Sequence, residues 1–158
     1  MCDKQLEVIK KQFFCGVPVT EIDWKDFLEH LSWEDQELFI QQTVDSSDNI
    51  LHPLRVSYQK AFVKYVLDRL GTSEAVHDVV YNAFGRLVAT PNTGDSFKHY
   101  RVSEQLNLIL KENANFISEG TTGLCTWQAG IALAEWCVQN QEIFKGKTLH
   151  LAQKLRKS

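Results

Sequence analysis

Apolar residues return along this chain mostly at intervals of three and four, the spacing of a helix with one buried face. Leu6, Ile9 and Phe13, with Val8 beside them, predict a helix over residues 3–14 that Gly16 and Pro18 bring to an end. Thr20 offers a cap with Asp23 three residues on, and Trp24, Phe27, Leu28 and Leu31 predict a second helical stripe behind it. Ser32 caps again, with Asp35 at the third helical position, and Leu38, Phe39 and Val44 carry a third helix. Asp45-Ser46-Ser47-Asp48-Asn49 reads as a turn.

Pro53 is placed to open the next helix, where its missing N–H has no intrahelical partner. Leu54, Tyr58, Ala61, Phe62, Tyr65, Val66 and Leu70 give a strong stripe that Gly71 stops. From Ser73 a further helix follows through Val76, Val79, Val80, Ala83, Phe84, Leu87 and Val88, and the short connection makes the two an antiparallel pair. The texture changes at Pro91-Asn92-Thr93-Gly94-Asp95, a loop. His99–Val102 and Leu106–Lys111 then predict a β-hairpin, with a third short strand near Asn115–Ile117. A Gly-Thr turn leads into a helix from about Thr126 to Gln141, and Thr148–Leu151 reads as the start of a strand. The fold class is mainly α with a small β-hairpin, an α+β arrangement. A helical domain occupies residues 1–90, a hairpin, turn and helix occupy 91–151, and 152–158 is a tail.

The 158 residues, 44% apolar and 23% charged, are those of a globular domain with a real core. A net charge of -3 gives no general attraction to nucleic acid or anionic lipid. The charge is uneven: Glu21, Asp23, Asp26, Glu29, Glu34, Asp35 and Glu37 make the first third acidic, while Lys145, Lys147, Lys154, Arg156 and Lys157 make the end basic. The plainest meaning is two solvated faces. Cys2, Cys15, Cys125 and Cys137 form no C-x-x-C pair, and no apolar run reaches bilayer length. These features point to a reduced, cytoplasmic protein with no membrane partner and no nucleic-acid partner.

Gly120-Thr121-Thr122-Gly123 is the most unusual local sequence. It lacks the Lys-[Ser/Thr] of a phosphate loop, and Glu119 stands where a nucleic-acid backbone clamp needs basic residues. Alone it is a tight turn in which Gly permits positive φ. Trp127 follows in the first turn of a predicted helix, where free N–H groups face outward. Trp136 lies three turns on, where packing is the plainer role. His30, His52, His77, His99 and His150 have no metal-ligand spacing, so no metal site is expected, and no nucleophile–base pair emerges to give a catalytic residue.

The run Asn115-Phe116-Ile117-Ser118-Glu119-Gly120-Thr121-Thr122-Gly123-Leu124-Cys125-Thr126-Trp127-Gln128-Ala129, followed by Leu133-Ala134-Glu135-Trp136, resembles the opening of the catalytic domain in the elongation factor 2 lysine methyltransferase family. Those proteins resemble other seven-β-strand, S-adenosylmethionine-dependent protein-lysine methyltransferases. The helices around Val56-Ser57-Tyr58 are similar to that family's N-terminal helical domain. The resemblance spans residues 5–151 and is specific from Ile117 to Trp136. It implies a Rossmann-like methyltransferase domain beginning within 91–151, with Trp127 contacting S-adenosylmethionine. In the family a first strand then enters a motif of the type E-L-G-x-G-x-G. Here Lys147-Thr148-Leu149-His150-Leu151 approaches it, but His150 replaces an acidic residue and Ala152-Gln153-Lys154 replace the glycines.

The resemblance therefore implies the N-terminal region of a protein-lysine N-methyltransferase, truncated before its cofactor motif and inactive alone, with elongation factor 2 as substrate or partner. The alternative is a non-catalytic interaction module in which residues 5–89 bind elongation factor 2 or another protein.

Overall fold

The computed structural model describes residues 3–71, 75–92, 95–101, 107–113 and 128–147. Two compact units divide the chain, residues 1–124 and 125–158. Helix α1 (Asp3–Cys15) buries Leu6, Ile9 and Phe13, the stripe that the spacing predicts. It ends in a reverse turn at Gly16, whose φ is 70°. There the Gly16 N–H donates to Phe13 O and the Val17 N–H to Gln12 O, which satisfies two of the last helical carbonyls. A Cβ at Gly16 would also stand 3.1 Å from Lys98 Cε.

The stripe after Thr20 does not form a helix. Residues 19–31 contain only two 3₁₀ turns, Val19–Glu21 and Leu28–His30, and Lys25 between them has φ 45°. The physical reason lies in Ile22 and Trp24, two residues apart and both buried together with Phe27, Leu28 and Leu31. One helical face would not take all five; an irregular segment does. The Trp24 indole N–H donates to Val19 O at 2.8 Å, and α1 holds the segment at Asp23 through Gln5 and Gln12.

Helix α2 (Trp33–Gln42) starts as expected, with the Asp35 N–H donating to Ser32 Oγ at 3.2 Å. It stops before Val44 because the chain turns at Thr43, whose hydroxyl donates to Phe39 O at 2.7 Å. The stretch read as a plain turn contains a short helix, α3 (Ser47–Leu51), capped by Ser46. Pro53 does not open α4 (Val56–Leu70), which begins three residues later. Instead the Pro53 carbonyl accepts a hydrogen bond from Phe97 N–H at 2.9 Å, a use the sequence gives no sign of. Gly71 ends α4, as expected.

Helix α5 (Asp78–Ala89) is capped by His77 Nδ1 rather than starting at Ser73, which lies outside the described residues. The Lys60 ammonium near the start of α4 donates to Thr90 O at the end of α5, so the two helices run antiparallel as predicted. Gln36 of α2 joins the bundle to α5: its Oε1 accepts from His77 N–H at 2.8 Å and its Nε2 donates to Ala75 O.

Phe62 stands at the centre of the core. Its ring lies 4.4 Å from Phe13, 5.5 Å from Trp24 and 5.9 Å from Phe39, centroid to centroid. Beside this apolar centre runs a buried amide bridge. Asn49 Nδ2 donates to Val44 O (2.7 Å) and Gln59 Oε1 (2.8 Å), Asn49 Oδ1 accepts from Leu54 N–H (3.0 Å), and Gln59 Nε2 donates to Leu54 O (2.6 Å).

The hairpin is present. β1 (Asp95–Arg101) pairs antiparallel with β2 (Asn107–Asn113), Asp95 opposite Asn113 and His99 opposite Ile109. β1 begins at Asp95, within the predicted loop, because the Phe97 N–H bond to Pro53 and the His99 ring bond to His52 O secure that end of the strand. The third strand near 115–117, and the strand start at 148–151, lie outside the described residues.

Asn49→Ala is expected to lower stability by about 2–4 kcal/mol, because it leaves Val44 O, Leu54 N–H and Gln59 Oε1 without their partner in the interior. The urea midpoint should fall accordingly, with the far-UV spectrum of the folded protein unchanged.

Candidate functional site

Trp127, the one residue singled out for cofactor contact, lies outside the described residues, as do Gly120–Gly123, Cys125 and the 148–158 stretch with His150. What is described begins one residue later. Helix α6 (Gln128–Gln139) corresponds to the helix expected from 126 to 141. It closes at Asn140, whose N–H and Nδ2 both bond to Trp136 O, and a short helix α7 (Gln141–Phe144) follows. Trp136 and Phe144 meet edge to face at 5.8 Å. Yet Trp136 remains 47% exposed, and Leu133, Val138 and Ile143 are similarly open. The packing role expected of Trp136 is thus only partly met within this unit.

In the first unit the structure gathers chemistry-bearing groups that are far apart in sequence. The Cys15 thiol donates to His99 O at 3.3 Å across a separation of 84 residues. Burial pushes this thiol above its ordinary value of 9.0, with the Lys98 ammonium acting in the opposite direction. Burial, with a smaller contribution from Cys15, pushes the Tyr58 phenol well above its ordinary value of 10.0. A thiol held in its protonated form is a poor nucleophile. The arrangement is structural. Sequence reading missed it because neither Cys15 nor His99 stands in a local motif.

Of the histidines, His52 and His99 come together, ring centroids 6.3 Å apart, while His77 caps α5. Among the described residues no group of three His, Cys, Asp or Glu side chains is placed to hold a metal ion. No described helix is long and apolar enough to cross a membrane. Glu21, Asp23, Asp26, Glu29, Glu34 and Glu37 are exposed, the solvated face that the charge pattern predicts, while Asp35 is half-buried.

No family model matches the chain. Curated relatives do. It is 27% identical over 152 residues to the human protein-lysine N-methyltransferase EEF2KMT, covering 91% of this chain and 45% of that protein. It is 28% identical over 147 residues to the bovine protein of the same name (88% and 42%), and 26% identical over 152 residues to the mouse protein (91% and 44%). The chain thus spans less than half the length of the curated relatives it matches. The similarity to methyltransferases of this type extends over about nine-tenths of the chain, in agreement with the resemblance carried by the Asn115–Trp136 run.

The elevated Cys15 and Tyr58 values carry a pH signature. In both groups folding favours the neutral form. Their contribution to stability is therefore fully present below the unfolded-state values and is lost as pH rises above about 9. Tyr58→Phe removes a buried hydroxyl that has no hydrogen-bond partner among the described residues. It is expected to change stability by less than about 1 kcal/mol at neutral pH and to make the alkaline loss shallower. Urea midpoints between neutral and alkaline pH check both points.

Proposed function

We propose that the chain is part of an S-adenosylmethionine-dependent protein-lysine N-methyltransferase, corresponding to the N-terminal region of the elongation factor 2 enzymes it resembles. The observation that carries this reading is the similarity over 91% of the chain to a protein-lysine N-methyltransferase. In this reading residues 1–90 are the N-terminal helical domain. Residues 91–151 are the hairpin, Gly-Thr turn and first helix of the methyltransferase domain, and 152–158 is a divergent tail. The protein works in the cytoplasm, and elongation factor 2 is the substrate.

Bound S-adenosylmethionine supplies the methyl group. Trp127, which precedes α6 in sequence, would be the residue that holds the cofactor in this reading. The apolar side chains that α6 leaves open at i,i+3 spacing, Leu133 and Trp136, support the reading, because a helix of this kind is built to lie against a sheet. Ala152-Gln153-Lys154 stand where the family has glycines that let the backbone approach the cofactor, so the 158-residue chain alone transfers no methyl group.

A radiolabelled-methyl assay with elongation factor 2 tests this in two arms. The purified chain should incorporate no label. A chimera carrying the human relative's sequence after Leu151 should incorporate it, and Trp127→Ala in that chimera should lower the rate about tenfold or more. Robust turnover by the chain alone sinks the inactivity, and a Trp127→Ala chimera as fast as its parent sinks the role of Trp127.

A second reading, a protein-binding module, is favoured by one observation: the exposed carboxylates of residues 21–37 lie in the same stretch as the half-exposed Trp33. Carboxylates next to an exposed aromatic suit a basic protein surface. The chain should then retain elongation factor 2 at low salt, lose it at high salt, and lose it on the double change Glu34→Lys, Glu37→Lys. Absence of binding at low salt rules this reading out.

A further inference from the structure

The hairpin is secured along one edge. The Phe97 N–H donates to Pro53 O, and the His99 carbonyl accepts from the Cys15 thiol. These backbone groups of β1 therefore face away from β2. In an antiparallel ladder, two residues directly opposite either exchange both backbone bonds or both turn their groups outward. Phe97 stands opposite Lys111, and His99 opposite Ile109. The N–H and C=O of Ile109 and Lys111 thus point to the outer edge of β2, as do those of Asn107 by the same alternation. Among the described residues no strand and no backbone group pairs with that edge.

β2 also lacks the features that usually protect such an edge. It has no proline and no bulge, since the pairing runs unbroken from Asp95 opposite Asn113 to Arg101 opposite Asn107. Its one lysine, Lys111, is drawn back to Asp95 at 2.7 Å. Leu108, Ile109 and Leu110 are 44%, 38% and 42% exposed, so apolar side chains stand open on both faces of the strand. Within the first unit the helices lie on the β1 side, where α1 packs, which leaves the approach to β2 clear. A flat apolar edge of this kind takes another strand, and a two-stranded ribbon gains stability from one.

The sequence of β2 says which strand fits. Asn107-Leu108-Ile109-Leu110-Lys111 has the same order of polar and apolar residues in either direction about Ile109. Strands related by a two-fold axis run antiparallel, so a second copy matches this palindrome. With the axis at Ile109, Ile109 faces its own counterpart, Leu108 faces Leu110, and Asn107 faces Lys111. Ile109, Asn107 and Lys111 are the residues whose backbone groups point outward, so these pairs exchange their N–H···O bonds. Leu108 and Leu110 of both copies then meet on one face. An axis at Leu110 would set Leu108 against Glu112, and an axis at Lys111 would set like charges opposite each other. The far edge of the hairpin is already taken by Pro53 and Cys15, so each copy has one edge to offer and assembly closes at two. We propose that the chain forms a symmetric dimer by edge-to-edge pairing of β2 centred on Ile109, giving a continuous four-stranded sheet. The strand spans about 23 Å, well short of a standard interface, so the dimer is reversible. The proposal does not rest on the methyltransferase reading.

Sedimentation velocity of the purified 158-residue chain, from about 5 to 500 µM, reads the association directly, and a Kd of roughly 10–300 µM is expected. The Ile109 and Lys111 amides should exchange freely with solvent in dilute samples and become protected as concentration rises. Ile109→Lys and Ile109→Glu should each weaken self-association about tenfold or more, because position 109 faces itself. An equal mixture of the two variants should associate again. Trp136→Glu, on the open face of α6, should leave the association unchanged. A monomer at every concentration overturns the proposal and leaves a strand of a different protein as the occupant. Amides of Ile109 and Lys111 protected equally at all dilutions overturn it in favour of another part of the same chain. So does association that Ile109→Lys leaves intact or Trp136→Glu abolishes, or a mixture of the two charged variants that stays monomeric. The concentration series needs no variant, so the test stands even where a substitution at Ile109 fails to fold.

Discussion

The pair of amides contributed by Asn49 and Gln59 fixes the course of the chain from Val44 to Leu54. This stretch must reverse direction twice, out of α2, through the single turn of α3 and into α4. Its backbone groups have too little helix or sheet to pair within. Side-chain amides fill that role, because each carries both donor and acceptor. The effect extends further. The same reversal presents the carbonyls of His52 and Pro53, and these accept from the His99 ring and the Phe97 N–H. The place of the hairpin against the helices thus depends on a hydrogen-bonded turn some fifty residues before it.

Apolar packing and this polar bridge do different work. Rings from α1, the irregular 19–31 segment and α2 converge on Phe62 of α4, and burial of each large side chain is worth about 1.5–3 kcal/mol. That attraction is non-directional and would tolerate several arrangements. The amide bridge and the Gln36 bonds to the start of α5 are directional, and they select one arrangement from those.

The elements that sequence reading caught are those whose partners are local. The stripes of α1, α4 and α5, the Ser32 cap of α2, the stop at Gly71 and the hairpin all announce themselves within a turn or two. It failed where a distant partner decides. Residues 19–31 have a helical stripe, but Ile22 joins the core and breaks the period. Pro53 looks like a helix opener, but its carbonyl serves β1. The Ser46 cap of α3 lies inside a cluster that resembles any polar turn. Of the candidate site, Trp127 was legible only through family likeness. The contact of Cys15 with His99 was not legible at all, since 84 residues separate the two and no local spacing relates them.

The bond between Cys15 and His99 also has a consequence in time. During synthesis α1 leaves the ribosome 84 residues ahead of the strand that covers it at Cys15. At about 5–20 residues per second, that is an interval of roughly 4–17 s. Phe13 is sheltered earlier, when Tyr58 and Phe62 emerge with α4. The neighbouring Phe14, which packs on His99, waits for β1. The helical part therefore spends seconds as a partly assembled body with one flank of its first helix still uncovered, and for that interval nascent-chain chaperones have a defined surface to recognise.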